Sequence, residues 1–66
     1  MYNLVVKKSR SYISLIDMDF TDFYDLFQHI KELLLEEEYR LYVKNRDTFS
    51  LESNNQIITI THYGNN

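Results

Sequence analysis

Residues 19–38 read DFTDFYDLFQHIKELLLEEE, and this stretch decides the fold. Apolar side chains recur in it at spacings of three and four residues, which places them in one line along a helix. The line consists of Phe20, Phe23, Phe27, Ile30 and Leu34, and it is widened by Leu26 and Leu33. The pattern therefore predicts one amphipathic helix whose apolar stripe faces a core.

A second line of side chains follows the first by two positions and is mostly acidic. It contains Asp22, Asp25, His29, Glu32 and Glu36. Because successive residues of a helix are rotated by about 100°, an offset of two places this line roughly opposite the apolar one. Several of these acids stand three or four residues apart, where like charges destabilise a helix. That local conflict is sometimes a sign of a surface that binds a partner, and an ordinary solvated helix face is the other interpretation.

Two strands are expected before the helix. Residues 2–7 alternate in polarity as a strand does, and residues 8–11 suit a four-residue loop. The second strand then covers residues 12–16, and residues 17–21 lead into the helix, with Asp19 or Thr21 as N-cap. The predicted pairs are Val6 with Ile13 and Leu4 with Leu15, which turns Ile13 and Leu15 to the core.

Three strands are expected after the helix, joined by two tight connections. Asn54-Asn55 suits a type I′ turn, because Asn tolerates left-handed backbone geometry. A three-residue loop at residues 45–47 makes the preceding hairpin. The predicted core-side pairs are Leu51 with Ile58, Phe49 with Ile60, Val43 with Phe49, and Leu41 with Leu51. On the other face, Ser50 is expected opposite Thr59 and Thr48 opposite Thr61.

The fold class predicted from these elements is α+β, in the order ββαβββ. An antiparallel sheet carries one amphipathic helix on one face, in a single small domain over residues 1–66 with a frayed tail at about 64–66. The chain has no Cys and no apolar run of the length that a membrane span needs. The sequence is therefore interpreted as a complete cytoplasmic gene product that does not enter a membrane.

The sheet face that the helix leaves open is a second candidate surface. The residues expected there are Val5, Lys7, Tyr12, Ser14, Ile16, Arg40, Tyr42, Lys44, Ser50, Ile57, Thr59, Thr61 and Tyr63. Its six-residue Tyr, Lys and Arg set is Lys7, Tyr12, Arg40, Tyr42, Lys44 and Tyr63. Such a set can stack unpaired bases while its cations contact phosphates. Scattered good strand formers and a protein interface, including a homodimer, are the alternatives.

The residue types that catalysis needs are not arranged as a site. There is no Gly-rich phosphate loop, no Cys nucleophile and no Ser in a nucleophile elbow. Asp25, His29 and Glu32 share a helical face, but a structural metal site usually needs four ligands. We expect no enzyme activity, metal or cofactor, and we interpret His29 as a surface imidazole.

The charge pattern points to association with another macromolecule. Net charge is −3, yet residues 17–38 hold eight acids and a single Lys. A row of carboxylates along a rod resembles a phosphate backbone, so it suits a basic groove of a protein that handles nucleic acid. The predicted function is a small inhibitor or modulator of that kind, of a size and composition common among anti-defence proteins of phages and mobile elements. Single-stranded RNA or DNA binding and a structural homodimer are the alternatives.

Overall fold

A computed structural model describes residues 1–64 of the chain as a five-stranded antiparallel sheet and one helix. The elements are β1 (Tyr2–Lys8), β2 (Ser14–Phe20), α1 (Phe23–Glu36), β3 (Arg40–Asn45), β4 (Thr48–Glu52) and β5 (Gln56–His62). The strands lie in the order β2-β1-β5-β4-β3. The α+β, ββαβββ prediction is confirmed. Of the predicted frayed tail, residues 65 and 66 lie outside the described part of the chain.

The core lies between α1 and the central strands of the sheet. Leu4 and Val6 of β1 pair with Ile60 and Ile58 of β5, and this places all four on the face under the helix. The buried apolar residues are Leu4, Val6, Phe20, Leu26, Ile30, Ile58 and Ile60. β1 and β5 are each paired with other strands on both edges, and they supply four of the seven buried apolar residues.

The predicted position of β2 is wrong. The strand covers Ser14–Phe20 instead of residues 12–16, and its pairs are Val6 with Ile16 and Leu4 with Met18. The shift of three residues is odd, so it exchanges the two faces of the strand. Ile13 and Leu15, expected in the core, are 76% and 57% exposed.

The loop between β1 and β2 explains the shift, because it is longer than predicted. Arg10 adopts a φ of 68°, and the Ser11 amide donates to the Lys8 carbonyl. The Ser11 side chain then accepts a hydrogen bond from the Ile13 amide at 3.1 Å. A register shift next to Val6 follows, and the chain joins the sheet only at Ser14. The sequence showed no Gly or Asn to mark this left-handed position.

The helix begins later than predicted, because residues 17–20 belong to β2. Asp22 is the N-cap, with an extended backbone and a side chain that accepts a hydrogen bond from the Tyr24 amide at 2.8 Å. Asp19 and Thr21, the predicted caps, precede it. Phe20, predicted on the helical stripe, is instead a buried residue at the end of β2.

The register of the β4–β5 hairpin is confirmed at all four predicted pairs. The turn type is wrong, since Arg10 is the one residue with positive φ among non-Gly residues 1–64 and type I′ requires positive φ at both central positions. Here the Ser53 hydroxyl closes the turn. It accepts hydrogen bonds from the amides of Asn55 and Gln56, at 3.2 and 3.0 Å.

The β3–β4 register is also confirmed, but its predicted burial is wrong. Leu41 pairs with Leu51 and Val43 with Phe49, and β3 includes Asn45, the first residue of the predicted loop. Leu41 and Val43 nevertheless remain 61% and 71% exposed. The reason is that α1 packs on β1 and β2, so its body does not reach β3 at the far edge of the sheet.

Candidate binding surfaces

The buried line of α1 differs from the predicted stripe. Leu26 and Ile30 are buried, Leu33 and Leu34 are half-buried, and Phe27 is 39% exposed. Since Leu26 and Ile30 are each directly preceded by a member of the acidic line, that line lies about 100° round the helix from the core and not opposite it. The acidic residues of α1 therefore form one flank of the helix.

Two ring contacts show where this flank points. The His29 ring packs against Phe20 of β2, with ring centroids 4.8 Å apart. Phe23, which lies on the other flank, packs edge-on against Tyr2 of β1 at 5.4 Å. The acidic flank is consequently turned toward β2 and the outer edge of the sheet.

All five predicted residues of the acidic helix face are exposed: Asp22, Asp25, His29, Glu32 and Glu36. Two of them have local structural roles. Asp22 caps the helix, and His29 Nδ1 lies 3.0 Å from the Asp25 carbonyl oxygen, which is a hydrogen bond when that nitrogen carries the proton. The His29 ring is thus held against the helix backbone and against Phe20.

The structure adds two carboxylates that the sequence analysis had assigned to the helix entry. Asp17 and Asp19 alternate along β2 with Ile16, Met18 and Phe20, so they point away from the helix. The Asn3 side-chain amide donates to both carboxylates, at 3.2 and 3.0 Å, which holds the two acids side by side. The alternation in residues 16–20 is the period-two signal that could have identified this strand.

These acids lie along the β2 edge of the domain, on both faces of the sheet, and we call this region the acidic edge. It comprises Asp17 and Asp19 on β2 and Asp22, Asp25, Glu32 and Glu36 on the flank of α1 above that strand, all exposed. Asp17 and Asp19 accept hydrogen bonds from the neutral side-chain amide of Asn3. Asp22 accepts a hydrogen bond from a backbone amide. These bonds leave the negative charge of the acidic edge uncompensated.

The Tyr, Lys and Arg set predicted on the open sheet face is only partly brought together. Lys7 and Arg40 lie in one cross-strand row but are separated by β5 and β4. Arg40 Nε donates to the Tyr42 hydroxyl at 3.4 Å. Tyr12 lies in the β1–β2 loop and is fully exposed, and Lys44 lies at a register shift in β3.

Other placements on the open face also differ from prediction. Tyr63 follows β5, where its amide binds the Met1 carbonyl. Ile16 lies on the helix side, because it pairs with Val6. The open face instead carries three acids, Asp17 and Asp19 on β2 and Glu52 opposite Arg40 on β4. Its charge is therefore mixed.

Polar concavities occur at the end of the sheet near the helix C-terminus. The larger is lined by Lys8, Ser9, Arg10, Glu37, Asn54, Asn55 and Gln56. Within residues 1–64, no group of three His, Cys, Asp or Glu side chains is placed to hold a metal ion. α1, the helix of the described residues, is too short and too polar to cross a membrane.

The function is inferred from the geometry of these surfaces. No protein-family model, curated protein or solved structure matches the chain.

Proposed function

We propose that this protein is a non-enzymatic binding module whose acidic edge docks into a basic groove of a protein that handles nucleic acid, and so competes with the nucleic acid for that groove. The observation that supports this function is the gathering of six exposed carboxylates on one edge of a small domain. Along the helix, Asp22 and Asp25, and likewise Glu32 and Glu36, are about 5–6 Å apart, with about 10 Å between Asp25 and Glu32. The flank therefore presents a row of negative charges, as a nucleic-acid strand does.

The arrangement of the other charges supports the same function. Arg40, Lys44 and Arg46 belong to β3 or the turn after it, at the opposite edge of the sheet. They are therefore too far away to neutralise the acidic edge, since exposed charges separated by more than about 8–10 Å are largely screened. A basic partner would therefore meet acids that the cations of β3 do not neutralise.

A matched pair of variants tests this function. The first carries D17N, D19N, D25N and E32Q, and keeps the Asp22 cap. The second carries E37Q, E38Q, D47N and E52Q, which removes the same charge from positions outside the acidic edge. Captured proteins are compared by affinity purification from the native host, with circular dichroism as a check that both variants fold.

The first variant should bind the partner about fourfold or more weakly, because four exposed ion pairs at about 0.2–1 kcal/mol each amount to roughly 0.8–4 kcal/mol. The second should retain it within about twofold. Added duplex DNA or RNA should release the partner from the wild-type protein. Equal capture by both variants, or a partner that nucleic acid does not displace, would overturn the proposal.

A further inference from the structure

The open face of the sheet, on the side away from α1, carries short side chains at its centre. One cross-strand row runs from Asp17 on β2 through Val5, Thr59 and Ser50 to Tyr42 on β3. The three central strands thus contribute Val, Thr and Ser to this row, and Ser50 is fully buried among its neighbours. Short side chains of this kind allow a second sheet to pack face to face at the usual distance of about 10 Å.

The charged residues of the open face alternate in sign across the strands. The adjacent row contains Lys7, Ile57, Glu52 and Arg40, on β1, β5, β4 and β3 in that order. On β2 the acid is Asp17, one row away. From β2 to β3 the charges are therefore negative, positive, neutral, negative and positive. The reverse order, from β3 to β2, has the opposite sign at every charged position, with β5 as the centre.

We propose that the open face binds a second copy of this chain, in a dimer whose two-fold axis lies in the interface and runs along β5. Rotation about this axis exchanges the β2 and β3 sides of the sheet, so β1 of each copy faces β4 of the other. Lys7 then faces Glu52 of the second copy, and the axis makes this pair twice. Arg40 extends toward Asp17 of the second copy, and Ile57 meets its own equivalent at the axis.

The contacts within one chain leave the central charges available for this pairing. The Ser50 hydroxyl donates to Glu52 Oε2 at 3.1 Å, so the Glu52 carboxylate is directed along β4 and not across the sheet to Lys7. Ile57 separates Lys7 from Glu52 in their row, and both charged side chains are half-buried. The second copy thus supplies each of them with a partner of opposite charge.

The open face is large enough for a dimer of modest affinity. Five strands about 4.8 Å apart, each with about six residues at about 3.3 Å, cover roughly 24 by 20 Å, or about 500 Å² per copy. The total of about 1,000 Å² lies at the lower limit of specific interfaces, so we expect a dissociation constant on the order of 10–100 μM.

Charge disfavours the other occupants of this face. An axis that crossed the strands would place β2 over β2 of the second copy, and acids would meet acids. A nucleic-acid strand laid across the face would meet Asp17, Asp19 and Glu52, which repel phosphates. In the proposed dimer α1 lies on the outside, so the α1 members of the acidic edge stay free and the dimer does not depend on the proposed function.

A charge exchange tests the dimer. The variants are K7E, E52K and the double variant that carries both changes. K31E is the matched control, because it makes the same substitution at an exposed position of α1, away from the open face. Sedimentation velocity between about 1 and 500 μM gives the dissociation constant of each protein, and circular dichroism checks that each one folds.

The wild-type protein should be mostly dimeric at about 500 μM and monomeric at about 1 μM. K7E and E52K should each weaken the dimer by about tenfold or more, because each places like charges opposite one another twice. The double variant should return to within about threefold of the wild type, and K31E should leave the dimer unchanged. A wild-type monomer at about 1 mM, a single variant that keeps the dimer, or a folded double variant that fails to restore it would overturn the proposal.

Dilution of the wild-type protein tests the same interface without any substitution. Between about 500 and 20 μM, the NMR signals of Val5, Ile57 and Thr59 should shift as the dimer dissociates. Those of Leu41 and Val43, which lie on the other face of the sheet, should stay in place. Shifts at Leu41 and Val43 with none at the open face would overturn the proposal, since the copies would then meet through the helix side.

Discussion

Tyr39 lies at the boundary between the core and the charged surface. Its ring packs against the core cluster, while its hydroxyl is buried without a hydrogen-bond partner. The adjacent Ser53 hydroxyl is engaged with the amides of Asn55 and Gln56, and gives Tyr39 only partial compensation. Burial, and then the negative charge of Glu37, raise the pKa of Tyr39 above its ordinary value of 10.0.

This raised pKa predicts a loss of stability in alkaline solution. Below about pH 10 the Tyr39 hydroxyl is protonated in both the folded and the unfolded chain, so it adds no pH dependence. As the pH rises further, the unfolded chain ionises first, and the free energy of unfolding falls until the folded-state pKa is passed.

Y39F should remove this part of the alkaline loss and should be at least as stable as the wild type at pH 7, because it removes a buried hydroxyl that lacks a partner. Urea unfolding of both proteins between about pH 8 and pH 11 measures the difference. If the difference between the two free energies of unfolding stayed constant over that range, the raised pKa would not belong to Tyr39.

At the scale of elements, the sequence predicted the residue pairs between β3, β4 and β5 better than it predicted where β2 lies in the chain. The β3–β4 and β4–β5 registers follow from the alternation of apolar and polar residues, which places Leu51, Ile58 and Ile60 on one face, together with the short turns, which select one alignment among those that keep this face. The position of β2 was missed because the φ of 68° at Arg10 lengthens the loop without a Gly or Asn to signal it. The exposure of Leu41 and Val43 depends on which strands the helix reaches, and strand periodicity carries no such information.

A pair of substitutions tests the observed register of β2. Ile16 packs against the core, whereas Ile13 is exposed in the preceding loop. I16A should lower the free energy of unfolding by roughly 2 kcal/mol, and I13A should change it by no more than about 0.5 kcal/mol. Urea denaturation monitored by circular dichroism measures both. The reverse order of effects would support the register in which Ile13 faces the core.

The start of α1 depends on Asp22 in two separable ways, as a cap and as a charge. D22A should cost about 1 kcal/mol of stability, because the Tyr24 amide loses its acceptor. D22N should stay within a few tenths of a kcal/mol of the wild type, since Asn caps as well as Asp. Thermal unfolding of both variants gives the comparison. If D22N were as damaging as D22A, the charge and not the hydrogen bond would be the dominant contribution.

At the scale of the whole molecule, the net charge of −3 conceals two oppositely charged edges. The acidic edge lies along β2 and the flank of α1 above it, and the cations of β3 lie at the other end of the sheet. The sequence showed that acids cluster in residues 17–38, and this predicted the helical members of the acidic edge. It did not show that Asp17 and Asp19 belong to a strand, because the predicted β2 ended at residue 16.

Crowding of like charge at the acidic edge predicts a salt-dependent stability. Replacing Glu32 and Glu36 with Gln should raise stability at low salt by a few tenths of a kcal/mol, since the two stand four residues apart and Glu36 lies at the negative end of the helix dipole. The gain should disappear near 1 M NaCl, where charges are screened within about 3 Å. Urea unfolding at several salt concentrations measures it. A gain that persists at high salt would indicate a change in helix propensity instead.

The pairing of β1 with β5 has a consequence for how the chain reaches its folded state. Tyr2 lies opposite His62, so the strands at the middle of the sheet come from residues 60 positions apart in the chain. The hairpins on either side are local and can form early, but they have no bond to each other until β5 is present. The complete sheet must therefore wait for β5; until then α1 can pack on the β1–β2 hairpin, but the β3–β4 hairpin has no strand that joins it to them.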